Sequence, residues 1–173
     1  QWADVLAKAA PMLITVTLEP DRGSETDATA LGYLLHKHPG RAQTFSAPVG
    51  DVHVFAPEAT RERCTFAMIL EVDPVGLVRN KRFRGDAGAL GHYVNDRPYV
   101  ASSMLAVAIG SVFRTAMTGR SDSYPDLAAS PLPLRIEIPV VSVRGDEDMV
   151  ERLFGPCGWE VAQKRIPLDP ALP

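Results

Sequence analysis

The sequence predicts an α+β fold, in which a mixed β-sheet packs on a long buried helix and a smaller strand–helix–strand lobe follows. Short β-branched runs bounded by turn residues indicate the strands. A mostly apolar run that begins at Pro98 indicates a helix that is buried on most sides. An extended, helical and again extended pattern over residues 134–168 indicates the smaller lobe.

Four strands are predicted in the main lobe. The run MLITVTL at 12–18 is β-branched and is followed by a turn-rich segment. AQTFSA and DVHVFA flank Pro48-Val49-Gly50 and therefore predict a hairpin. TFAMILEV at 65–72 is almost continuously apolar, which is typical of a central strand.

Helix signals separate these strands. Thr26 or Asp27 can cap a helix that runs to Lys37 and stops before Pro39-Gly40. Pro57 and Glu58 suit the first turn of a short helix, because proline has no amide proton to lose there. The long helix is predicted from Pro98 to Thr118, with Gly119 as its C′ residue.

The linker-like stretch SDSYPDLAASPLP divides the chain into a main lobe at 12–128 and a smaller lobe at 129–173. Residues 1–11 precede the first strand pattern and are interpreted as an upstream extension or an artificial remnant.

Composition narrows the function. The 173 residues carry a formal charge of −3 and are 46% hydrophobic, a profile typical of soluble globular chains. An acidic balance disfavours a domain that binds nucleic acid by phosphate neutralisation alone. Cys64 and Cys157 form no C-x-x-C pair, so free thiols and a cytoplasmic location are expected. The longest apolar run is too short and too polar to span a membrane.

The cluster YVNDRPY at 93–99 has two interpretations. Asn95 or Asp96 can cap the helix that Pro98 begins, which stabilises such a helix by roughly 1 kcal/mol. Capping does not explain Arg97, a cation where the helix dipole disfavours one, or Tyr93 and Tyr99, which flank it. These side chains are candidates for contact with a partner.

The segment RNKRFR at 79–84 makes Lys81, Arg82 and Arg84 candidates for RNA binding, although a solvated basic loop explains them equally well. His36 and His38 point away from each other on a helix, so no metal site is predicted there. No nucleophile elbow, P-loop or zinc spacing occurs in the sequence. The residues alone therefore indicate a binding or regulatory domain.

Four blocks carry a resemblance: LGYLLHKHPGR (31–41), HVFAPEATRERC (53–64), LEVDPVGLVR (70–79) and YVNDRPYVASSMLAVAI (93–109). Together they resemble the amino-terminal region of the bacterial 3′-terminal RNA ribose 2′-O-methyltransferases. The similarity extends over 12–173, including SPLPLRIEIPV and RLFGPCGWEV.

The resemblance implies a non-catalytic activator. In that family the amino-terminal half binds the ligase of a polynucleotide kinase–phosphatase–ligase and enables its adenylylation, and RNA is reached through the assembled complex. S-adenosylmethionine and a divalent metal, typically manganese, serve the carboxy-terminal methyltransferase half, so no cofactor is expected here. The candidate ligase contacts are Arg79, Asn95, Asp96, Arg97 and Tyr99.

Two other functions stay open at this point. An RNA-binding module that delivers broken ends would use the basic segment 79–84. A small enzyme in its own right would need catalytic residues that the fold brings together from distant positions.

Overall fold

A computed structural model describes residues 12–72, 97–141, 143, 146 and 148–164; of residues 97–103 it describes the backbone alone. The described residues up to Val141 form one compact unit, and those from Val143 onward form a second one. This division falls after Val141, whereas the linker-like sequence predicted it after residue 128.

The first unit is built on a sheet of five strands: β1 (Met12–Leu18), β2 (Gln43–Ala47), β3 (Gly50–Ala59), β4 (Cys64–Val72) and β5 (Leu134–Glu137). Their order across the sheet is β2-β3-β4-β1-β5. All pairings are antiparallel, so the predicted mixed sheet is wrong. Strand β5, which the sequence assigned to a separate lobe, pairs with β1 and completes this sheet.

One face of the sheet carries the hydrophobic core. Leu18, Phe66 and Leu70 are essentially inaccessible to solvent, and burying a side chain of this size stabilises the fold by roughly 1.5–3 kcal/mol. Leu31 and Ala108, from the two helices of the first unit that reach this core, belong to the same cluster. The core thus fixes both helices on one face of the sheet.

The opposite face is more polar. Thr17 lies beside Thr65 in the register of β1 and β4, and their hydroxyl oxygens are 2.9 Å apart. Thr17 is buried, so this hydrogen bond satisfies a hydroxyl that has little access to water.

Helix α1 (Ala30–Leu35) is shorter than predicted at both ends. Asp27 is not its N-cap: its carboxylate accepts hydrogen bonds from the backbone N–H and hydroxyl of Thr29, at 2.9 and 2.6 Å, in the turn before the helix. These bonds hold the pKa of Asp27 below its ordinary value. His36 ends the helix ahead of the predicted stop at Pro39-Gly40, because it adopts a left-handed conformation with φ 53°.

Helix α2 (Arg97–Val112) is described from one residue before the predicted start at Pro98 and ends six residues before Thr118. A 3₁₀ turn (Ala116–Thr118) follows, and Gly119 is the left-handed residue that ends this turn rather than the helix. In the part of α2 with described side chains, Ala108 and Val112 are buried whereas Val107 is 44% exposed. This part is therefore two-sided rather than buried all round.

The predicted short helix at Pro57-Glu58 is wrong, because both residues lie in β3. The register of β3 on β4 shifts between Phe55 and Glu58, and β2 pairs with β3 only as far as Val54. Pro57 therefore sits at a β-bulge, where its missing N–H interrupts no ladder.

The remaining helices are short. α3 (Pro125–Ala128) belongs to the first unit, and α4 (Met149–Phe154) continues into a 3₁₀ turn (Gly155–Cys157) in the second. Residues 159–164, predicted to be extended, form no strand. The predicted strand–helix–strand lobe is thus reduced to α4 and its turn among the described residues.

Candidate partner-binding surfaces

Most site residues predicted from the sequence lie outside the described part of the chain: Arg79, Lys81, Arg82, Arg84, Asn95 and Asp96. Arg97 and Tyr99 lie in the first turn of α2, where only the backbone is described. Pro98, predicted as the first helical residue, is the second residue of the described helix.

An exposed aromatic pair, which the sequence analysis did not identify, joins α1 to the segment before α3. The ring centroids of Tyr33 and Tyr124 are 5.2 Å apart and their planes are tilted by 59°. The two residues remain 54% and 36% exposed. Aromatic rings arranged in this way attract each other while each keeps an outer surface available to a partner.

The backbone holds Tyr124 in place. Its N–H donates to the buried Ser121 hydroxyl at 3.3 Å, and its carbonyl accepts from the Ala128 N–H at 3.0 Å. Pro125, the first residue of α3, restricts the backbone that follows. The ring of Tyr124 is therefore presented from an ordered turn.

A second link between the same two segments runs through His36. Its Nε2 lies 3.1 Å from the carbonyl oxygen of Arg120. The left-handed conformation of His36 also ends α1. The His36 N–H donates to the Tyr33 carbonyl and the Lys37 N–H donates to the Gly32 carbonyl, which is the pattern of a Schellman motif. The end of α1 thus fixes both Tyr33 and the residue that contacts Arg120.

Beneath this end of α1, the ammonium group of Lys37 lies between two aromatic rings. Its Nζ is 5.1 Å from the ring centroid of Phe45 and 5.4 Å from that of Phe113. Partial burial lowers the pKa of Lys37. The two cation–π contacts attach the helix end to β2 and to the residue that follows α2.

The two segments that carry the tyrosines are basic in sequence, although the whole chain is acidic. The segments 33–41 and 114–126 contain Lys37, three arginines and two histidines but two acidic residues, Asp122 and Asp126. The arginines, Arg41, Arg114 and Arg120, are all exposed. We refer to Tyr33, Tyr124, His36 and these three arginines as the aromatic–basic patch.

A second surface lies at the edge of the sheet. Strand β5 pairs with β1 along one side, and no described strand pairs with its other side. Ile136 lies in β5, and Ile138, Val140 and Val141 follow the end of this strand. These four residues are between 39% and 78% exposed, with Val140 the most exposed. We refer to these four residues as the apolar edge. A free strand edge with exposed apolar side chains is a typical protein-binding feature.

A row of polar side chains crosses β2, β3 and β4. His53 Nδ1 is 3.0 Å from the Thr44 hydroxyl, and its Nε2 is 3.6 Å from a Glu71 carboxylate oxygen. The order hydroxyl, imidazole, carboxylate is that of a catalytic triad. Here the Glu71 side chain is 77% exposed and the three residues are cross-strand neighbours on an open sheet. The row is therefore explained by surface pairing.

Metal sites and membrane-spanning helices are absent from the described residues. No group of three or more histidine, cysteine, aspartate and glutamate side chains in the described ranges could hold a metal ion. No helix in the same ranges is both long enough and apolar enough to cross a membrane.

Comparison with known proteins supports the resemblance seen in the sequence. No curated protein matches the chain. One family model matches residues 12–173, which is all of the chain after its first eleven residues, and it is described as the RNA repair, ligase-Pnkp-associating region of Hen1. Since the match covers well over half of the chain, this protein belongs to the family of RNA-repair regions of Hen1 that associate with ligase-Pnkp.

Proposed function

We propose that this chain binds the ligase of its repair partner and promotes adenylylation of that ligase, without supplying a catalytic residue. The observation that carries the proposal is the family match, whose description names association with ligase-Pnkp. In this proposal the chain activates the ligase because it binds one conformation of the ligase more tightly than the others. A partner that binds the adenylylation-competent conformation more tightly shifts the population toward it, and correct positioning of lysine, ATP and metal lowers the barrier.

The apolar edge provides the ligase contact in this proposal. Val140 and its neighbours expose apolar area in and directly after β5, whose outer edge has no described partner strand. Burial of such side chains against a partner is favourable by roughly 25 cal/mol per Å² of apolar surface. A strand of the ligase could in addition pair with β5 through main-chain hydrogen bonds.

The residues predicted from the sequence belong to the same proposal as a second contact region. Arg79, Asn95, Asp96, Arg97 and Tyr99 are proposed to reach the ligase near the start of α2. Arginine and tyrosine are the residue types that most often dominate interface energies. Asn95 and Asp96 have the additional proposed role of capping α2.

The test measures ligase binding and ligase adenylylation by chain variants. Val140→Asp places a charge on the apolar edge and is expected to weaken ligase binding by roughly tenfold or more, the scale of an interface hot spot. The matched control is Val107→Asp, which alters another exposed valine, on α2. It is expected to leave binding unchanged.

Arg97→Ala and Tyr99→Ala test the second region in the same assays. Each is expected to reduce binding while leaving the melting temperature within a few degrees of the original. If Val140→Asp, Arg97→Ala and Tyr99→Ala all bind and activate the ligase as well as the unchanged chain, both contact regions are wrong.

The remaining parts of the proposal concern the parent protein. S-adenosylmethionine and a divalent metal are proposed to serve a methyltransferase half and not this region, and the complex is proposed to work in the cytoplasm.

A second candidate function is an RNA-binding module that delivers broken ends. The exposure of Tyr33 and Tyr124, in two segments with a net positive charge, favours it. Lys81, Arg82 and Arg84 are proposed as further RNA contacts. Neutralising them is expected to reduce the salt dependence of RNA binding.

A further inference from the structure

We infer that the aromatic–basic patch is a binding site for single-stranded RNA, in which Tyr33 and Tyr124 stack on bases and the exposed arginines of the same two segments contact phosphates. The inference rests on the proposed place of the chain in an RNA-repair complex. It assigns the RNA contact to residues that neither the family description nor the sequence analysis identified.

Ring geometry supports stacking from outside. Because the two centroids are only 5.2 Å apart, the rings contact each other and no base can enter between them. Each ring keeps an exposed outer surface, and the pair is held by a turn on one side and a helix end on the other. Rings fixed in this way lose little conformational entropy when a base stacks on them. Every base has a π-face, so such binding tolerates any sequence.

The charge of the two segments that carry the tyrosines favours RNA over an apolar protein as the partner of the patch. Arg41, Arg114 and Arg120 are exposed in the two segments that carry the tyrosines, 33–41 and 114–126, whose acidic residues are Asp122 and Asp126. In an otherwise acidic chain, the two segments that carry the exposed rings thus have a net positive charge, and exposed aromatic rings together with basic residues are the combination that binds single strands. The apolar edge lacks this combination: it has no aromatic residue, and the one arginine of β5, Arg135, is paired with Glu137 at 2.7 Å.

His36 positions the two halves of the patch relative to each other. Its ring contacts the backbone carbonyl of Arg120 at 3.1 Å, and its left-handed backbone ends the helix that carries Tyr33. Loss of the ring is therefore expected to weaken RNA binding less than loss of a tyrosine, because His36 acts through the residues that it places.

The experiment is fluorescence anisotropy with the complete chain and a short labelled oligouridine, with duplex RNA as the comparison. Tyr33→Ala and Tyr124→Ala are each expected to weaken binding by roughly fivefold to more than a hundredfold, the range known for loss of one stacked base. Tyr33→Phe and Tyr124→Phe keep the ring and are expected to retain binding. Duplex RNA, whose bases are already stacked, is expected to bind more weakly than oligouridine.

Salt dependence tests the arginines separately. For a single strand, each neutralised phosphate contributes about −0.7 to the slope of log K against log salt concentration. Arg114→Gln and Arg120→Gln are each expected to make the slope shallower by about that amount. Arg135→Gln, on β5, is the matched control and is expected to leave the slope unchanged.

Ligase adenylylation measured without RNA keeps this inference separate from the proposed function. The tyrosine variants are expected to activate the ligase normally. The inference is wrong if the unchanged chain does not bind oligouridine, or if removing both rings leaves RNA binding intact. It is also wrong if the ring variants lose ligase binding instead, because the patch would then be a protein contact.

Discussion

Replacing Gly32 with alanine tests whether close packing holds the end of α1 against the sheet. In a helix, alanine is normally favoured over glycine by about 1 kcal/mol. At this position a Cβ atom would lie 2.9 Å from the carbonyl oxygen of Lys37, 3.1 Å from Cδ of Pro39 and 3.6 Å from Cζ of Phe66. The first distance is shorter than real Cβ contacts, and the obstructing atom belongs to the backbone.

The size of the effect follows from these two terms. Overpacking in a closely packed site typically costs 1–3 kcal/mol, and the helix preference of alanine offsets about 1 kcal/mol of that. Gly32→Ala is therefore expected to lower the free energy of unfolding by about 0–2 kcal/mol. Because the clash displaces the residue that follows His36, RNA binding at the aromatic–basic patch is expected to weaken with it.

Gly110 supplies the matched control. It is also helical, but a Cβ atom there would meet nothing within 4 Å. Gly110→Ala is expected to raise the free energy of unfolding by about 0.5–1 kcal/mol. Urea denaturation of both variants measures the difference. If Gly32→Ala raises the free energy of unfolding as much as Gly110→Ala does, Gly32 is not packed closely against Lys37 and Pro39 as described.

Two further predictions concern the sheet. Thr17→Val leaves the Thr65 hydroxyl without its partner at 2.9 Å and is expected to lower the free energy of unfolding by about 1–3 kcal/mol. The double variant Thr17→Val/Thr65→Val is expected to recover part of this loss. If urea denaturation shows that the effects of the two substitutions simply add, the hydrogen bond is contradicted. Burial, with smaller contributions from Asp27 and Glu58, raises the pKa of the Cys64 thiol from its ordinary value of 9.0 to about 11. Between these two values the unfolded chain releases the thiol proton and the folded chain keeps it, so the contribution of Cys64 to stability falls as the pH rises; Cys64→Ala is expected to remove this part of the pH dependence. In thiol labelling of the native chain, the exposed Cys157 is expected to react quickly and Cys64 only on unfolding, and equal rates would contradict the burial of Cys64.

The strands were the most predictable part of the fold. The sequences of β1, β2, β3 and β4 have β-branched or continuous apolar patterns bounded by turn residues, and all four were placed within a few residues. Strand order could not be predicted, because β1 pairs with β4 and β5, which are distant in sequence. This pairing depends on tertiary contacts that no local pattern encodes.

Element ends were predicted less well, for identifiable reasons. His36 ends α1 in a conformation that local rules assign to glycine or asparagine. Pro57 suggested a helix start, but a β-bulge accepts it equally well. The pairing of Tyr33 with Tyr124 could not be predicted because it joins positions far apart in sequence. The basic character of the segment 33–41 was the one feature of the sequence that could have indicated a binding surface there.

The central claim is tested most directly by ligase adenylylation. The partner ligase and labelled ATP are incubated without RNA while the concentration of this 173-residue chain is increased. The account predicts that the adenylylation rate rises with chain concentration and saturates when the complex is fully formed. A ligase that binds the chain but is adenylylated at an unchanged rate would contradict the account.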